Sequence, residues 1–220
     1  MHYTVPMIYT TLFIDLDGTL YSNGIGLWEE ISQRIDSFMH EKLGIPCVDV
    51  PRFRQAYFHE YGTTLRGIQA NHPEVDAAEY LEFVHAIPLD KYIQPDSELR
   101  QMLLALPQQK WIFTNADKNH AKRVLTALGI EDCFDGIVDV WALGFRPKPV
   151  KEIYPLALQL AGDEQPQRCV YIDDLAKNLA PARDLGMLTI LVSPNGANPS
   201  AHHTIPRIHD LPRVLPDLFK

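Results

Sequence analysis

The spacing of apolar residues changes character twice along the chain. Thr11-Leu12-Phe13-Ile14 is a short apolar run, rich in β-branched and aromatic side chains, and predicts a buried strand. Beyond Leu20 the period becomes helical. Leu27, Trp28, Ile31, Ile35, Phe38 and Met39 fall on one face, with Gly44 placed as a C-cap, which predicts a helix of about 18 residues. Further helical spacing follows through Phe53, Ala56, Tyr57 and Tyr61, then Leu65 to Gln69, then Tyr80, Leu81, Phe83 and Val84. Nothing between Ser22 and Tyr92 reads as a strand.

From Pro95 onward helices and strands alternate. Asp96 is the N-cap candidate of a helix through Leu99, Met102, Leu103 and Leu104, followed by a strand Trp111-Ile112-Phe113-Thr114 and a helix on Ala121, Val124, Leu125 and Leu128 that stops at Gly129. Ile137 to Val140 reads as a strand, and Val150, Ile153, Tyr154, Ala157 and Leu160 as a helix face ending near Gly162. Cys169 to Ile172 is a strand, Leu179 to Leu185 a helix ending at Gly186, and Leu188 to Val192 a strand. Thr204-Ile205 forms a last edge strand before a terminal helix. Such alternation predicts an α/β protein, a parallel sheet in a three-layer sandwich. The all-helical stretch, set between the first strand and the rest, predicts an inserted helical cap or lid over 22–94, with the core formed by 1–21 and 95–220.

Composition adds limits. The chain has 220 residues, 46% hydrophobic and 22% charged, the balance of a globular protein, and no run reaches the roughly 18 apolar residues that span a bilayer. The N-terminus lacks the basic region and cleavage site of a signal peptide, which predicts a cytoplasmic protein. Cys47, Cys133 and Cys169 are far apart among apolar neighbours, so buried free thiols are expected rather than disulfides or a metal site. With 28 acidic against 20 basic residues and a net charge of −8, a nucleic-acid polymer is not the expected partner; an anionic small molecule needs a local positive site. His202-His203 falls in a surface loop without a companion carboxylate or cysteine, and no metal role is assigned to it.

The first strand stops at Asp15-Leu16-Asp17-Gly18-Thr19. In open α/β sheets ligands bind at the carboxyl ends of strands, and two carboxylates delivered there repel each other unless a cation lies between them. Hard oxygen ligands suit Mg²⁺. Asp-Gly also supplies ordinary turn chemistry. A Ca²⁺ loop fails on spacing: with Gly18 at the sixth position, Phe13 occupies the first ligand position and Gly24 the place of the bidentate Glu. A dinucleotide fingerprint on Gly24-Ile25-Gly26 is broken at Glu29. Two further strands end in similar chemistry. Thr114-Asn115 precedes a helix, so Thr114 is either its N-cap or part of an anion cradle. Ile172 is followed by Asp173-Asp174, a second acidic pair, and the four aspartates exceed what capping explains. Lys148, between Pro147 and Pro149 at the start of the intervening helix, supplies the fixed cation that carboxylates and a phosphate together require.

In this order, Asp15-Leu16-Asp17-Gly18-Thr19, Thr114-Asn115, Lys148 and Asp173-Asp174 resemble the four motifs of the haloacid dehalogenase superfamily, over nearly the whole chain. The resemblance implies a Rossmann-like core and a phosphomonoester hydrolase, with Asp15 the nucleophile that forms an aspartyl-phosphate and Asp17 the general acid and then base. It implies Mg²⁺ held by Asp15, the backbone carbonyl of Asp17 and Asp174, with Asp173 behind them, and phosphoryl oxygens held by Thr114 and Lys148. Members that cleave carbon–halogen bonds need no acid for a leaving alkoxide, so Asp17 points to phosphate esters.

The stretches Tyr61 to Gly67, Thr114 to Leu125 and Tyr171 to Asn178, with Leu20-Tyr21-Ser22, are similar to the pyrimidine 5′-nucleotidase branch. Gly18 stands where that branch often has Asn, a difference of turn rather than of chemistry. The resemblance implies pyrimidine nucleoside 5′-monophosphates as substrates. Arg66 is the cap residue suited to a carbonyl or anionic group, although Tyr61 to Gly67 is equally read as a turn with glycine hinges. A phosphoglycolate or sugar-phosphate phosphatase and a phosphoglucomutase-type phosphotransferase are the alternative activities. Oligomeric state has no sequence signal.

Overall fold

The computed structural model describes residues 9–196 and 198–219. Two compact units form. One comprises the described residues up to Ser22 and from Ile93 onward, the other Asn23–Tyr92, leaving Ser22, Ile93 and Gln94 with the sheet rather than with the helical insert.

In the first unit, β1 (Thr11–Ile14), β2 (Gln109–Phe113), β3 (Gly136–Val138), β4 (Cys169–Asp173), β5 (Leu188–Val192) and β6 (His203–Ile205) form one sheet in the order β3-β2-β1-β4-β5-β6. Every pairing is parallel. Both faces are covered, which is why these strands read as continuous apolar runs: β1 is buried at all four positions. Phe13, Phe113 and Tyr171 point to one side and pack with Tyr154 and Leu158 of α7 (Ile153–Ala161) and Leu179 of α8 (Ala176–Asp184). Phe113 stacks edge-on against Tyr154 at 5.4 Å. Their alternates Leu12, Ile14, Ile112, Val170 and Ile172 face the other way and are fully buried as well. Leu104 and Leu160, which belong to apolar helix faces by spacing, are exposed; apolar residues are not excluded from surfaces.

Register decides where the chemistry lies. Ile14 pairs with Ile112 on one side and Ile172 on the other, so β1, β2 and β4 end level. The chain runs outward from β1 through β2 to β3, then restarts on its other side at β4. The gap between β1 and β4 is thus the topological switch point, the place where α/β sheets bind ligands.

The second unit contains α1 (Leu27–Glu41), α2 (Val50–Tyr61), α3 (Thr64–Asn71) and α4 (Ala77–His85). Phe38 of α1 meets Tyr80 of α4 edge-on at 5.0 Å, and Arg34 Nε donates to the Phe83 carbonyl at 2.7 Å. Cys47 is exposed, against the expectation of burial; Cys133 and Cys169 are buried, and all three are free. Tyr61 to Gly67 is a helix corner rather than a hinged turn: Gly62 caps α2, and the Thr63 hydroxyl caps α3 by accepting from the Arg66 backbone N–H. Gly67 lies inside α3, where a Cβ would come within 2.3 Å of Tyr57 Cβ and Cγ. The Tyr57 Cβ is fixed to the α2 backbone and cannot rotate away. Gly67→Ala is therefore expected to destabilise this unit by about 1–3 kcal/mol, overriding the gain of roughly 1 kcal/mol in helix propensity. Denaturant unfolding checks it, and an unchanged or raised midpoint contradicts the packing argument.

The remaining helices complete the sheet-bearing unit. They are α5 (Ser97–Leu104), capped by Asp96 through the Leu99 N–H, α6 (Lys118–Leu128), stopped at Gly129, and α9 (Leu211–Val214).

Candidate active site

Four chain segments meet at the carboxyl edge of β1, β2 and β4. Asp15 follows β1 and is buried, with its backbone N–H donating to the Ile172 carbonyl at 2.9 Å, so the ladder to β4 continues one residue past the strand. The chain then turns back. Leu20 N–H donates to the Leu16 carbonyl at 3.0 Å, and Gly18 lies at φ +83, a conformation open to Gly and tolerated by Asn. That turn brings the Thr19 hydroxyl to Asp15 Oδ2 at 3.1 Å.

Lys148 is buried at the centre. Its Nζ donates to Asp15 Oδ1 at 2.7 Å, to Asp173 Oδ2 at 2.9 Å and to the Phe113 carbonyl at 2.7 Å, so its three protons are matched by three acceptors. Burial disfavours the ammonium, but the two carboxylates outweigh it and hold its pKa above the usual lysine value. The residue occupies a loop, with α7 starting only at Ile153, rather than the start of a helix. Asn115 secures that loop through both backbone groups of one residue: its Oδ1 accepts from Lys148 N–H at 2.8 Å and its Nδ2 donates to the Lys148 carbonyl at 3.4 Å.

Thr114 is buried, and its backbone N–H donates to the Val138 carbonyl at 3.0 Å, extending β2 toward the site. It does not cap α6. Asp117 does, accepting from the N–H groups of Asn119 and His120, while Asp139 accepts from that of Lys118. Those carboxylates occupy the helix start read from sequence as an anion cradle. The Thr114 hydroxyl accepts from Ala116 N–H at 3.0 Å, which fixes the β2–α6 turn.

Asp173 and Asp174 differ sharply. Asp173 is fully buried and its oxygens accept from Lys148, the Tyr171 hydroxyl, the Leu175 N–H and the Asn178 amide. Asp174 is half-exposed. Asp17 is also partly exposed, and its Oδ1 accepts from the Tyr21 hydroxyl and lies 3.2 Å from His120 Nε2. Sequence reading assigned no role to Tyr21, His120, Asn178 or Tyr171. Their only signal was position within the quoted motifs. Arg66 belongs to the helical unit, half-buried on α3.

The charge balance at this edge is negative. Burial pushes the Asp15 carboxyl up to about 8; Lys148 opposes this and Asp173 adds to it. Carboxylate oxygens of Asp15, Asp173 and Asp174 lie within 4.8 Å of one another, an all-oxygen donor set suited to a hard divalent cation. Asp173 has its lone pairs committed to protein donors, which leaves Asp15 and Asp174 as the better direct ligands.

A family model described as haloacid dehalogenase-like hydrolase matches residues 9–186. The chain belongs to that family. Phosphate metabolism protein 8 from Saccharomyces cerevisiae is 32% identical over 190 residues, covering 80% of this chain and 59% of the yeast protein. Bifunctional epoxide hydrolase 2 from Mus musculus is 35% identical over 86 residues, 39% of this chain and 14% of that one. Among solved structures, a HAD phosphatase from Thermococcus onnurineus superposes with a TM-score of 0.67 at 19% identity, covering 94% of this chain and 97% of that chain. L-2-haloacid dehalogenase from Xanthobacter autotrophicus gives 0.58 at 15% identity, covering 94% and 98%. Phosphatases and dehalogenases thus share this fold, and side chains must separate them.

Proposed function

We propose that this haloacid dehalogenase-like hydrolase is a Mg²⁺-dependent phosphomonoesterase that works through an aspartyl-phosphate on Asp15, with pyrimidine nucleoside 5′-monophosphates as its preferred substrates. The observation that carries the proposal is a second carboxylate, Asp17, set two residues beyond the buried Asp15 and held by its own donors. Halide departs without a proton, whereas an alkoxide needs one, so an acid beside the nucleophile suits phosphate esters.

A carboxylate oxygen of Asp15 attacks phosphorus, and the ester P–O bond breaks with its electron pair going to the leaving oxygen. Asp17 protonates that oxygen. Asp17, now ionised, takes a proton from water as the water attacks the aspartyl-phosphate; the acyl-oxygen-to-phosphorus bond breaks, releasing inorganic phosphate and restoring Asp15. Lys148 neutralises part of the charge on Asp15 and fixes its rotamer, which lowers the cost of bringing an anionic ester to an anionic nucleophile. Asp15, Asp174 and the Asp17 carbonyl, with Asp173 behind, would hold Mg²⁺, which would supply electrostatic stabilisation of the phosphoryl oxygens. A structural relative, the putative HAD-hydrolase YfnB from Bacillus subtilis, was crystallised bound to magnesium, which supports the choice of ion.

The nucleotide preference rests on the likeness to the pyrimidine 5′-nucleotidase branch and on Arg66 as a side chain able to pair with a base carbonyl. A panel of phosphate esters, assayed for free phosphate with and without chelator, tests these parts together. UMP and CMP are expected to exceed purine nucleotides, activity to vanish in chelator, and Mg²⁺ rather than Ca²⁺ to restore it, because Ca²⁺ takes more ligands at longer distances. Preference for phosphoglycolate or hexose phosphates removes the nucleotidase reading and leaves the phosphatase standing. Phosphate retained on the substrate indicates a phosphotransferase. Full activity in excess chelator contradicts the ligand roles of Asp15 and Asp174.

Asp17→Asn is expected to slow hydrolysis of an alkyl phosphate by about 10² to 10⁴-fold, the range of general acid–base catalysis. On an activated aryl phosphate kcat/KM should fall far less, since that leaving group departs unaided. Equal losses on the two esters rule out Asp17 as the acid of the first step.

A further inference from the structure

Asp17 is gripped from two directions within the sheet-bearing unit. The Tyr21 hydroxyl donates to its Oδ1 from four residues along the same turn. His120 Nε2 approaches that same oxygen, at 3.2 Å, from a residue 103 positions away in sequence. The imidazole is wholly buried, and its backbone N–H donates at 3.0 Å to Oδ1 of Asp117, the cap of α6. Asp117 therefore fixes the first turn of α6, that turn fixes the ring, and the ring meets Asp17. A buried histidine within hydrogen-bonding distance of a carboxylate has lost its rotamer freedom, so the carboxylate it meets is held in one orientation too.

A group that delivers a proton and later takes one back must present its carboxyl plane in one orientation to the reacting oxygens. We propose that Tyr21 and His120 are positioning residues for Asp17: by meeting its Oδ1 from two separate elements they hold the carboxyl group in the orientation from which it gives its proton to the ester oxygen and later receives one from water. The inference rests on Asp17 being the leaving-group acid, as proposed above. The proton of Asp17 passes to the leaving oxygen as that oxygen takes the electron pair of the breaking P–O bond, and the carboxylate so formed deprotonates water in the second half. The contact to Asp17 calls for the Nε2–H tautomer of His120, which touches no substrate atom in this scheme. A phenol keeps its proton at neutral pH, so Tyr21 is a donor there.

The test compares His120→Ala, His120→Gln and Tyr21→Phe, each alone and combined with Asp17→Asn, on glycerol phosphate and on p-nitrophenyl phosphate. The readout is kcat/KM, which reports formation of the phosphoryl-enzyme, with thermal melts taken alongside. Tyr21→Phe and His120→Ala are expected to lose roughly 10- to 100-fold on glycerol phosphate, the scale of an ångström-sized misplacement of a reacting group. On the aryl ester the loss should stay within about threefold, because no acid is needed. His120→Gln, which retains an N–H donor, should recover most of the loss, and neither substitution should add to Asp17→Asn. Equal losses on both esters, or full additivity with Asp17→Asn, overturn the proposal and leave the two residues a structural role. If Asp17→Asn itself fails to discriminate between the esters, the acid reading falls and this inference with it; if Asp17→Asn discriminates and the others do not, this inference falls alone. Tyr21→Phe removes a single oxygen and decides the matter should His120→Ala not fold.

Discussion

Asp15→Asn is expected to reduce turnover to below about 10⁻⁴ of wild type, the scale set by loss of a covalent nucleophile, while the protein stays folded. Both halves of that expectation follow from the contacts. The amide keeps an oxygen that accepts from Lys148 Nζ, and the Thr19 hydroxyl, which donates to Oδ2 in the wild type, can turn to accept from the new N–H. Burial is the main cause that pushes the Asp15 carboxyl up to about 8; a neutral amide escapes that penalty on charge, so the melting temperature without metal should hold or rise. The lone pair of an amide nitrogen is delocalised into its carbonyl and does not attack phosphorus, so chemistry stops although binding does not. Turnover above background in a sample shown by mass spectrometry to be free of deamidation rules out Asp15 as nucleophile. A well-folded, inactive variant that still gains thermal stability from phosphate ester and Mg²⁺ is the supporting result.

The same residues show how far sequence reading reaches. The sheet was legible because its strands are buried on both faces and so read as unbroken apolar runs; β5 lies at Leu188–Val192, the bounds expected from sequence. The edge chemistry was legible because strand ends are marked by an abrupt change from apolar to acidic, as at Ile14-Asp15 and Ile172-Asp173. The beginning of α6 was not. Thr114, Asn115 and Asp117 are all capping types within four residues, and choosing among them depends on Thr114 still pairing with Val138, a contact across 24 positions. His120 escaped notice for a related reason. It flanks the apolar face of Ala121, Val124 and Leu125 and reads as one more polar helix residue, whereas its role depends on a partner 103 positions away. Lys148 was read as the fixed cation that carboxylates and a phosphate require; which acceptors its three protons meet, Asp15, Asp173 and the Phe113 carbonyl, was not legible. A periodic pattern predicts which side of an element is buried; it does not give the tertiary partner of a polar group at its end.

Lys148→Met is expected to produce the largest loss of stability of any substitution at this edge, about 3–5 kcal/mol, the cost of removing one partner from a buried ion pair. The magnitude follows from what is left behind. Methionine fills nearly the same volume, so cavity formation contributes little, but Asp15 and Asp173 then face each other across a buried site without their shared cation, and the Phe113 carbonyl loses its donor. Activity should vanish as well, since attack by Asp15 on an anionic ester loses its positive neighbour. Two measurements separate this electrostatic account from general disruption of the core. In denaturant unfolding, the Asp15→Asn, Lys148→Met double variant should be more stable than Lys148→Met alone, because one of the two stranded carboxylates is gone and the effects of contacting residues do not add. Mg²⁺ should raise the midpoint of Lys148→Met more than that of wild type, because the ion then replaces the missing charge beside Asp15. If the double variant is less stable than the single one and Mg²⁺ shifts both proteins equally, Lys148 acts through packing alone and its place as counter-ion to the paired aspartates is wrong.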